Sequence, residues 1–377
     1  MSNAGLTLGD VVRRFGPAYV TAHGATMPPS HRRALRALSA CRTAALGGHV
    51  TQCEHCGAEH YVYHSCRHRS CPTCHGAATA AWLAARTPEL LPVPYFHLVF
   101  TLPSELRLVV RQHQRVLLGA LMTTAVEALQ ALAADPRYVG GRLGVLAVLH
   151  TWTRALVYHP HVHCLVPGGG LAADGLTWRS ARRQFLVPVR ALGVGFRARF
   201  LRRLRAVVPD GVLPATVWQQ LWDRPWVVYA KPTVQGPTSV LRYLARYVHR
   251  AAITNARLRG MTRETVTFDY RDAERRGWRT MTLRGEEFLR RVLTHVLPSG
   301  FHKVRCYGLW TPGHRTTRAV LQVRLAELAP PPPALTSGAA GATLPRPLTG
   351  VCAACGQGPV RRIASLPALP MAAIPPP

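Results

Sequence analysis

The alternation of apolar and polar residues along the chain predicts a mixture of helices and strands. Apolar residues spaced three and four apart predict helices at 11–45, 77–85, 105–134, 190–208, 238–249 and 286–296. Runs rich in β-branched and aromatic residues predict strands at 95–101, 144–153, 159–166, 185–189, 226–230 and 301–307, and a hairpin that joins 265–270 to 278–283. Because these elements follow one another without a regular β-α alternation, the predicted fold class is α+β.

Proline content and composition divide this pattern into four predicted segments. Pro88, Pro92 and Pro94 mark a boundary before the first predicted strand, and the chain is rich in Pro, Ala and Gly from Ala329 onward. The predicted segments are a helical N-terminal segment (1–48), a Cys- and His-rich domain (49–88), a large domain (92–310) and a Pro- and Ala-rich, largely disordered tail with a CxxC motif (311–377).

The charge of the chain points to a polyanionic partner. Lys and Arg total 47 against 17 Asp and Glu, which gives a formal net charge of +30. Lysine occurs only at Lys231 and Lys303, so nearly all of this charge is arginine, whose planar fork suits phosphate. Nucleic acid is therefore the expected partner. A hydrophobic content of 48% excludes a purely disordered basic tail, because it is enough to build a core.

The first residues and the cysteine content predict a soluble, intracellular protein with no membrane partner. Together with the expected nucleic-acid partner, the predicted localisation is cytoplasmic and nucleoid-associated. The N-terminus MSNAGLTLGDVVRRFG has no apolar core and no cleavage site of a signal peptide. The most apolar stretch, 116–134, contains Glu127 and Gln130 and predicts a buried helix. Ten cysteines in such a chain indicate reduced thiols, and clustered thiols indicate metal.

Two CxxC pairs predict a structural zinc site. Cys53 and Cys56 are separated by 14 residues from Cys71 and Cys74, close to a zinc pattern in which two thiol pairs complete a tetrahedron. Cys66 is an alternative ligand. The histidines that could substitute for a thiol are His55, His64, His68 and His75. The competing interpretation is reduced thiols in the core or a redox CxxC. Cys352 and Cys355 have the spacing of half a zinc site without its other half, and a tail segment that binds no metal is the alternative.

A histidine-rich strand predicts a second metal site. In HPHVH, His159, His161 and His163 share one face of a strand and leave Val162 to the core. A tight turn at 156–157 would place His150 opposite His163, which makes His150 a candidate third ligand with His159 as its competitor. A hydrogen-bonded cluster of histidines without metal is the alternative.

The predicted helix at 238–249 carries candidate nucleophiles. Tyr243 and Tyr247 are four residues apart and share a helix face, beside a row that includes Arg246 and Arg250. Two phenol groups beside guanidinium groups suit attack on a phosphodiester, provided that a metal or cation favours the phenolate. Packing or base stacking is the alternative role for this pair.

These elements, in this order, resemble the IS91-family transposases, which belong to the HUH (His-hydrophobic-His) endonucleases. The similarity is carried by CRTAALGGHVTQCEHCG, YHSCRHRSCPTC, HTWTRALVYHPHVHCLVPGGG and YLARYVHRAAITNARL. The resemblance implies that His161 and His163 bind a catalytic Mg²⁺ or Mn²⁺, that Tyr243 and Tyr247 are the nucleophiles, and that 92–310 is an antiparallel-sheet nuclease domain. It also implies N-terminal zinc in the region of Cys53 to Cys74.

The function implied by the resemblance is rolling-circle DNA transposition. One tyrosine would cut a single strand to leave a 5′-phosphotyrosine and a free 3′-OH, and the second would serve the second cleavage. Lys231, Arg246 and Arg250 are candidate phosphate contacts, and a host helicase would displace the strand because the chain has no GxxxxGK motif. The alternatives are a related replication initiator or relaxase, and a catalytically inert zinc-dependent DNA-binding protein.

Overall fold

A computed structural model of the chain describes residues 5–233, 248, 251–272, 277–328 and 351–370. The helices of these residues are α1 (Leu8–His23), α2 (Pro29–Ala40), α3 (His75–Arg86), α4 (Arg107–Gln112), α5 (Gln114–Ala133), α6 (Val189–Arg205), α7 (Ala215–Asp223), α8 (Gly285–Thr294) and α9 (Arg315–Glu327). The strands are β1 (Gly48–Cys53), β2 (Glu59–Tyr63), β3 (Tyr95–Thr101), β4 (Gly144–Trp152), β5 (Tyr158–Pro167), β6 (Gly169–Leu171), β7 (Trp178–Ser180), β8 (Val228–Pro232), β9 (Leu258–Met261), β10 (Thr265–Arg271), β11 (Trp278–Arg284), β12 (Val304–Gly308) and β13 (Val360–Leu366).

The largest sheet has five strands in the order β12-β4-β5-β3-β8, and every neighbouring pair is antiparallel. One face of this sheet is apolar because alternate residues of each strand, such as Phe100, Val162 and Cys164, are fully buried. They pack in one core with α5 and α6, where Leu121 and Phe196 are fully buried as well. The predicted α+β class with antiparallel sheets is therefore confirmed.

A second core joins the N-terminal helices to a distant part of the chain. Residues of α1 and α2 pack with α8 and with the antiparallel sheet β11-β10-β9, where Leu35, Phe268 and Phe288 are all buried. Cys41 and Cys71 belong to the same core. The zinc-binding region is thus packed against residues that the sequence pattern assigned to the large domain.

Three of the predicted elements differ in the structure: two predicted helices are each divided into two, and one predicted strand is a turn. The helix predicted at 11–45 is two helices, because the consecutive prolines Pro28 and Pro29 cannot continue α1 and instead begin α2. The helix predicted at 105–134 is interrupted at His113, between α4 and α5. The strand predicted at 185–189 is a turn whose Leu186 and Val187 are apolar because they join the main core ahead of α6.

Helix α5 is long and apolar enough to cross a membrane by composition alone. Within the fold, most of this helix is buried, and its residues contribute to the main core beneath the five-stranded sheet. This placement matches the buried helix predicted from the sequence.

The segment from residue 311 onward, predicted to be largely disordered, contains two regular elements. Helix α9 begins after Thr311, because Leu321 and Leu325 pack with Leu91 and Leu309 in a small apolar cluster. Further on, β13 pairs antiparallel with β1 and extends the β1–β2 hairpin to three strands. Both elements lie next to the Pro- and Ala-rich stretch that begins at Ala329, and the prediction extended the character of that stretch to them.

The stability of the fold should depend on pH through His31. Burial lowers the pKa of His31 to about 4, below its value of about 6.5 in an unfolded chain. The unfolded state therefore binds more protons between these values, so stability should fall as the pH drops from 6.5 to 4, by up to about 1.4 kcal/mol per pH unit. Urea denaturation at several pH values would give the free energy of unfolding of the unmodified chain and of His31→Leu. If this free energy falls equally as the pH drops in the two proteins, the assignment to His31 is wrong.

Candidate metal centre

Three histidines come together on the face of the five-stranded sheet that lies opposite α5 and α6. His161 and His163 project from β5, and His150 projects from the neighbouring β4. Their ligand nitrogens all lie within 4.8 Å of one another, and His150 and His163 are only 3% and 7% exposed. The two-residue period of β5 explains the arrangement, because Val162 between the two histidines turns to the core.

The predicted register between β4 and β5 is wrong by two residues. His150 lies opposite His161, and His163 lies opposite Val148. The connection is longer than the predicted two-residue turn: the register shifts between His150 and Trp152, and Leu156 takes a left-handed φ of 60°. A shift by an even number of residues keeps a side chain on the same face, so His150 still lies beside the other two histidines.

Hydrogen bonds orient the two rings of β5. His161 Nδ1 lies 2.7 Å from the carbonyl oxygen of His159, to which it donates. His163 Nδ1 lies 2.9 Å from Nε2 of His97, a ring on β3 that stacks on it at an interplanar angle of 10°. Histidines that bind metals usually hold their second nitrogen in this way. When each Nδ1 carries the proton, the lone pair of each ring is on Nε2.

His97 was not found by the sequence analysis. Its signal was a single imidazole among the apolar residues of YFHLVFT, at a position that the strand period places on the histidine face. Burial lowers the pKa of His97 and of His161 to about 4 in each case. Both rings are therefore neutral near pH 7, and neutral imidazole is the form that binds a metal ion.

Lys231 lies on the edge strand β8 and shares the histidine face. It pairs with His97 of β3, while Tyr229 pairs with Val99 two residues further along. The Lys231 ammonium lies 5.2 Å from the centre of the Tyr229 ring, and that ring forms a T-shaped contact with the ring of His97. The predicted site residues Tyr243, Arg246, Tyr247 and Arg250 fall outside the described residues.

The structure divides the four predicted zinc thiols between two clusters. Cys71 and Cys74 lie with Cys41 and Cys66, whereas Cys53 and Cys56 lie with Cys352 and Cys355. The prediction that all four thiols form one zinc site is therefore wrong. Cys66, the predicted alternative ligand, belongs to the first cluster. Pairing the two nearest CxxC motifs failed because Cys41 precedes the motif block and the partner of the Cys53 pair lies in the tail.

The first cluster has the dimensions of a tetrahedral thiolate site. Cys41 follows α2, Cys66 follows β2, and Cys71 and Cys74 bracket a single turn. The sulfur of Cys41 lies 3.5 Å from those of Cys71 and Cys74, and Cys66 Sγ lies 3.6 Å from Cys74 Sγ. Zinc–sulfur bonds of about 2.3 Å place tetrahedral ligands about 3.8 Å apart. All these cysteines are free thiols, as a zinc site requires.

Comparison with known proteins matches two segments of the chain to families of transposase domains. Residues 11–102 match the family described as "Transposase zinc-binding domain", and residues 144–318 match the family described as "Putative transposase". The first match contains the Cys41 cluster, and the second contains His150, His161 and His163. No solved structure matches the chain.

Two relatives extend over most of the chain. It is 42% identical over 325 residues to "Putative transposase y4qJ" of Sinorhizobium fredii, with 82% of this chain and 81% of the relative covered. It is 32% identical over 284 residues to the "Transposase for insertion sequence element IS801" of Pseudomonas savastanoi pv. phaseolicola, with 71% of this chain and 67% of the relative covered.

The family matches and the cysteine cluster define a zinc-binding protein of the transposase class, which implies DNA binding. More specifically, the chain belongs to the IS91 family of transposases. The resemblance found in the sequence is therefore confirmed, as is its zinc-binding domain.

Proposed function

We propose that this transposase cuts and rejoins single-stranded DNA at the ends of a mobile element by rolling-circle transposition. The observation that carries the proposal is the group formed by His150, His161 and His163, whose nitrogens converge on one point of a mostly buried sheet face. A transposase of this family needs chemistry on phosphodiesters, and these histidines form a buried metal-ligand group within the region that matches the transposase family.

The histidine group fits a catalytic divalent ion, for which Mg²⁺ and Mn²⁺ are the candidates. His161 and His163 would bind through Nε2, since each Nδ1 is engaged by a carbonyl or a second ring. When bound, such an ion polarises the scissile phosphate and stabilises its developing charge. His97 acts as a positioning residue, because it holds the ring of His163 without belonging to the three-histidine group.

The bond-breaking step is proposed to use Tyr243 and Tyr247, as the family resemblance implies. The phenolate oxygen of one tyrosine attacks the scissile phosphorus, and the bond from phosphorus to the 3′ oxygen breaks. The products are a 5′-phosphotyrosine and a free 3′-OH, which takes up a proton. The reverse attack by a 3′-OH rejoins a strand and releases the tyrosine, so the bond energy is conserved without a nucleotide cofactor.

The basic surface supports a polyanionic substrate held against the histidine face. Lys231, on that face, is the described candidate for a phosphate contact, and Arg246 and Arg250 are proposed for the same role. Single-stranded DNA is the proposed form of the substrate, with the strand displaced by a host helicase at the nucleoid. Cationic and aromatic groups side by side, as in Lys231 and Tyr229, suit a single strand.

The test uses oligonucleotides that tile the DNA flanking the coding sequence, labelled at either end and incubated with Mg²⁺ or Mn²⁺. With a 3′ label, the signal should move with the protein on a denaturing gel. With a 5′ label, it should appear as a shorter strand that a polymerase can extend. The double variant Tyr243→Phe, Tyr247→Phe should lose the adduct, because no phenol oxygen is left to attack.

Tyr61→Phe is the matched control, since Tyr61 is an exposed phenol on β2. It should form as much adduct as the unmodified protein. An adduct that carries the 5′ label would contradict the proposed polarity. Binding of DNA without an adduct under either metal would contradict catalysis and favour an inert DNA-binding protein.

A further inference from the structure

The second cysteine cluster joins two distant parts of the chain. Cys53 is the last residue of β1 and Cys56 lies just after it, whereas Cys352 and Cys355 precede β13 in the C-terminal part of the chain. Cys53 Sγ lies 3.8 Å from Cys355 Sγ, and Cys56 Sγ lies 3.7 Å from Cys352 Sγ. These separations equal the edge of about 3.8 Å expected for a zinc tetrathiolate and are far too long for disulfides of about 2.05 Å.

The two CxxC segments have the same backbone conformation. In each, the glycine after the second cysteine donates its N–H to the carbonyl oxygen of the first cysteine, at 3.0 Å for Gly57 and 2.9 Å for Gly356. Both glycines take a left-handed φ, of 71° and 67° respectively, which other residues rarely adopt. Both segments are therefore turns that aim two thiols at a common point.

Backbone N–H groups are also directed at the sulfurs. The N–H of His55 lies 3.4 Å from Cys53 Sγ, and that of Ala354 lies 3.4 Å from Cys352 Sγ. His60 Nε2 lies 3.2 Å from Cys352 Sγ. Donors placed around sulfur stabilise thiolate over thiol, as a metal ligand requires.

Strand β13 has little apolar burial to hold it in place. It pairs with β1 over 360–366, yet five of its seven residues are exposed and none is buried. Strand pairing without a buried face gives little stability in water. A metal ion at the end of the β1–β13 pair, where Cys53 lies opposite Val360, would supply the missing attachment.

From these observations we propose that Cys53, Cys56, Cys352 and Cys355 bind a second zinc ion that fastens the C-terminal strand to the zinc-binding region. Four thiolates in a tetrahedron select zinc among the common divalent ions, and a complete set of protein ligands makes the site structural. Residues 352 and 355 lie outside both matched family segments, whereas Cys53 and Cys56 lie inside the first, so the matched zinc-binding domain does not contain the whole of this site. It does not depend on the proposed nuclease activity.

The test is the zinc and iron content of the full-length protein, measured by inductively coupled plasma mass spectrometry. The chain should contain two zinc ions, and the double variant Cys352→Ser, Cys355→Ser should contain one. Cys306→Ser is the matched control, because Cys306 on β12 belongs to neither cluster and its loss should leave two zinc ions. One zinc in the unmodified protein, two in the double variant, or iron as the second ion would each overturn the proposal.

Hydrogen exchange of the unmodified protein gives an independent test that needs no variant. Amides of 360–366 should be protected in the zinc-loaded protein. They should exchange at least tenfold faster when a chelator has removed the zinc ion of the second cluster. Unchanged protection after that loss, or equally fast exchange before it, would overturn the assigned role of the ion. Non-reducing mass mapping that found Cys53 joined to Cys355 would also overturn it.

Discussion

Replacing His161 with alanine is expected to slow metal-dependent cleavage of single-stranded DNA by about a thousandfold. The change removes one of the three nitrogens that lie within 4.8 Å of one another. Stabilisation of the transition state by a bound ion amounts to several kcal/mol, and about 4 kcal/mol corresponds to a factor of a thousand. Single-turnover rates with a 3′-labelled oligonucleotide would measure the loss.

Two neighbouring substitutions separate metal binding from general damage to the site. His97→Ala should reduce the rate or the metal affinity by about 10- to 100-fold, because it removes the ring that orients His163. His159→Ala should have little effect, since His159 supports His161 through its backbone carbonyl. Titration of bound Mn²⁺ by electron paramagnetic resonance reports on the site independently of catalysis. Equal losses in all three variants would contradict the assigned roles.

Replacing Cys71 with serine is expected to unfold the N-terminal region at room temperature. Cys71 is 2% exposed and lies with Cys41, Cys66 and Cys74 in the first cluster. Structural zinc contributes on the order of 10 kcal/mol to the folded state of small zinc domains, which is comparable with the whole stability of a typical domain. Because Cys41 and Cys71 share a core with α8 and β10, the loss should extend to residues 258–294.

Hydrogen exchange resolved along the chain would measure how far this unfolding spreads. Cys164→Ala is the control, since it removes a buried thiol of β5 that belongs to neither cluster and should cost only about 1 kcal/mol. Protection should be lost in α1, α2 and α8 of Cys71→Ser and retained in β3 and α5. A variant that keeps its zinc and its protection would contradict the assignment of this cluster.

Local periodicity was sufficient to predict the histidine face but not its register. The two-residue period of β5 placed His161 and His163 together, and an error of only two residues in register left His150 on the same face and beside them. The length of the β4–β5 connection could not be predicted, because it depends on the left-handed backbone conformation of Leu156. Leucine rarely adopts this conformation, so the residue type gives no indication of it. His97 was missed because its role requires knowing that β3 pairs with β5.

The division of the cysteines could not be predicted from spacing. A CxxC motif shows that two thiols converge but does not identify the other pair, and here the nearest motif was not the partner. The contact between β1 and β13 joins residues about 310 positions apart, with no apolar pattern in β13 to indicate it. Long-range pairing of this kind depends on the tertiary fold rather than on local propensity.

The separation of the two cysteine clusters along the chain imposes an order on biosynthesis. All ligands of the first cluster lie between Cys41 and Cys74, so they leave the ribosome early and together. The second cluster needs Cys352 and Cys355, which emerge only after the histidine strands and α9 have been synthesised. A transposase gene truncated before codon 352 would therefore encode every described histidine of the metal centre and yet leave Cys53 and Cys56 as an open thiol pair, exposed to oxidation.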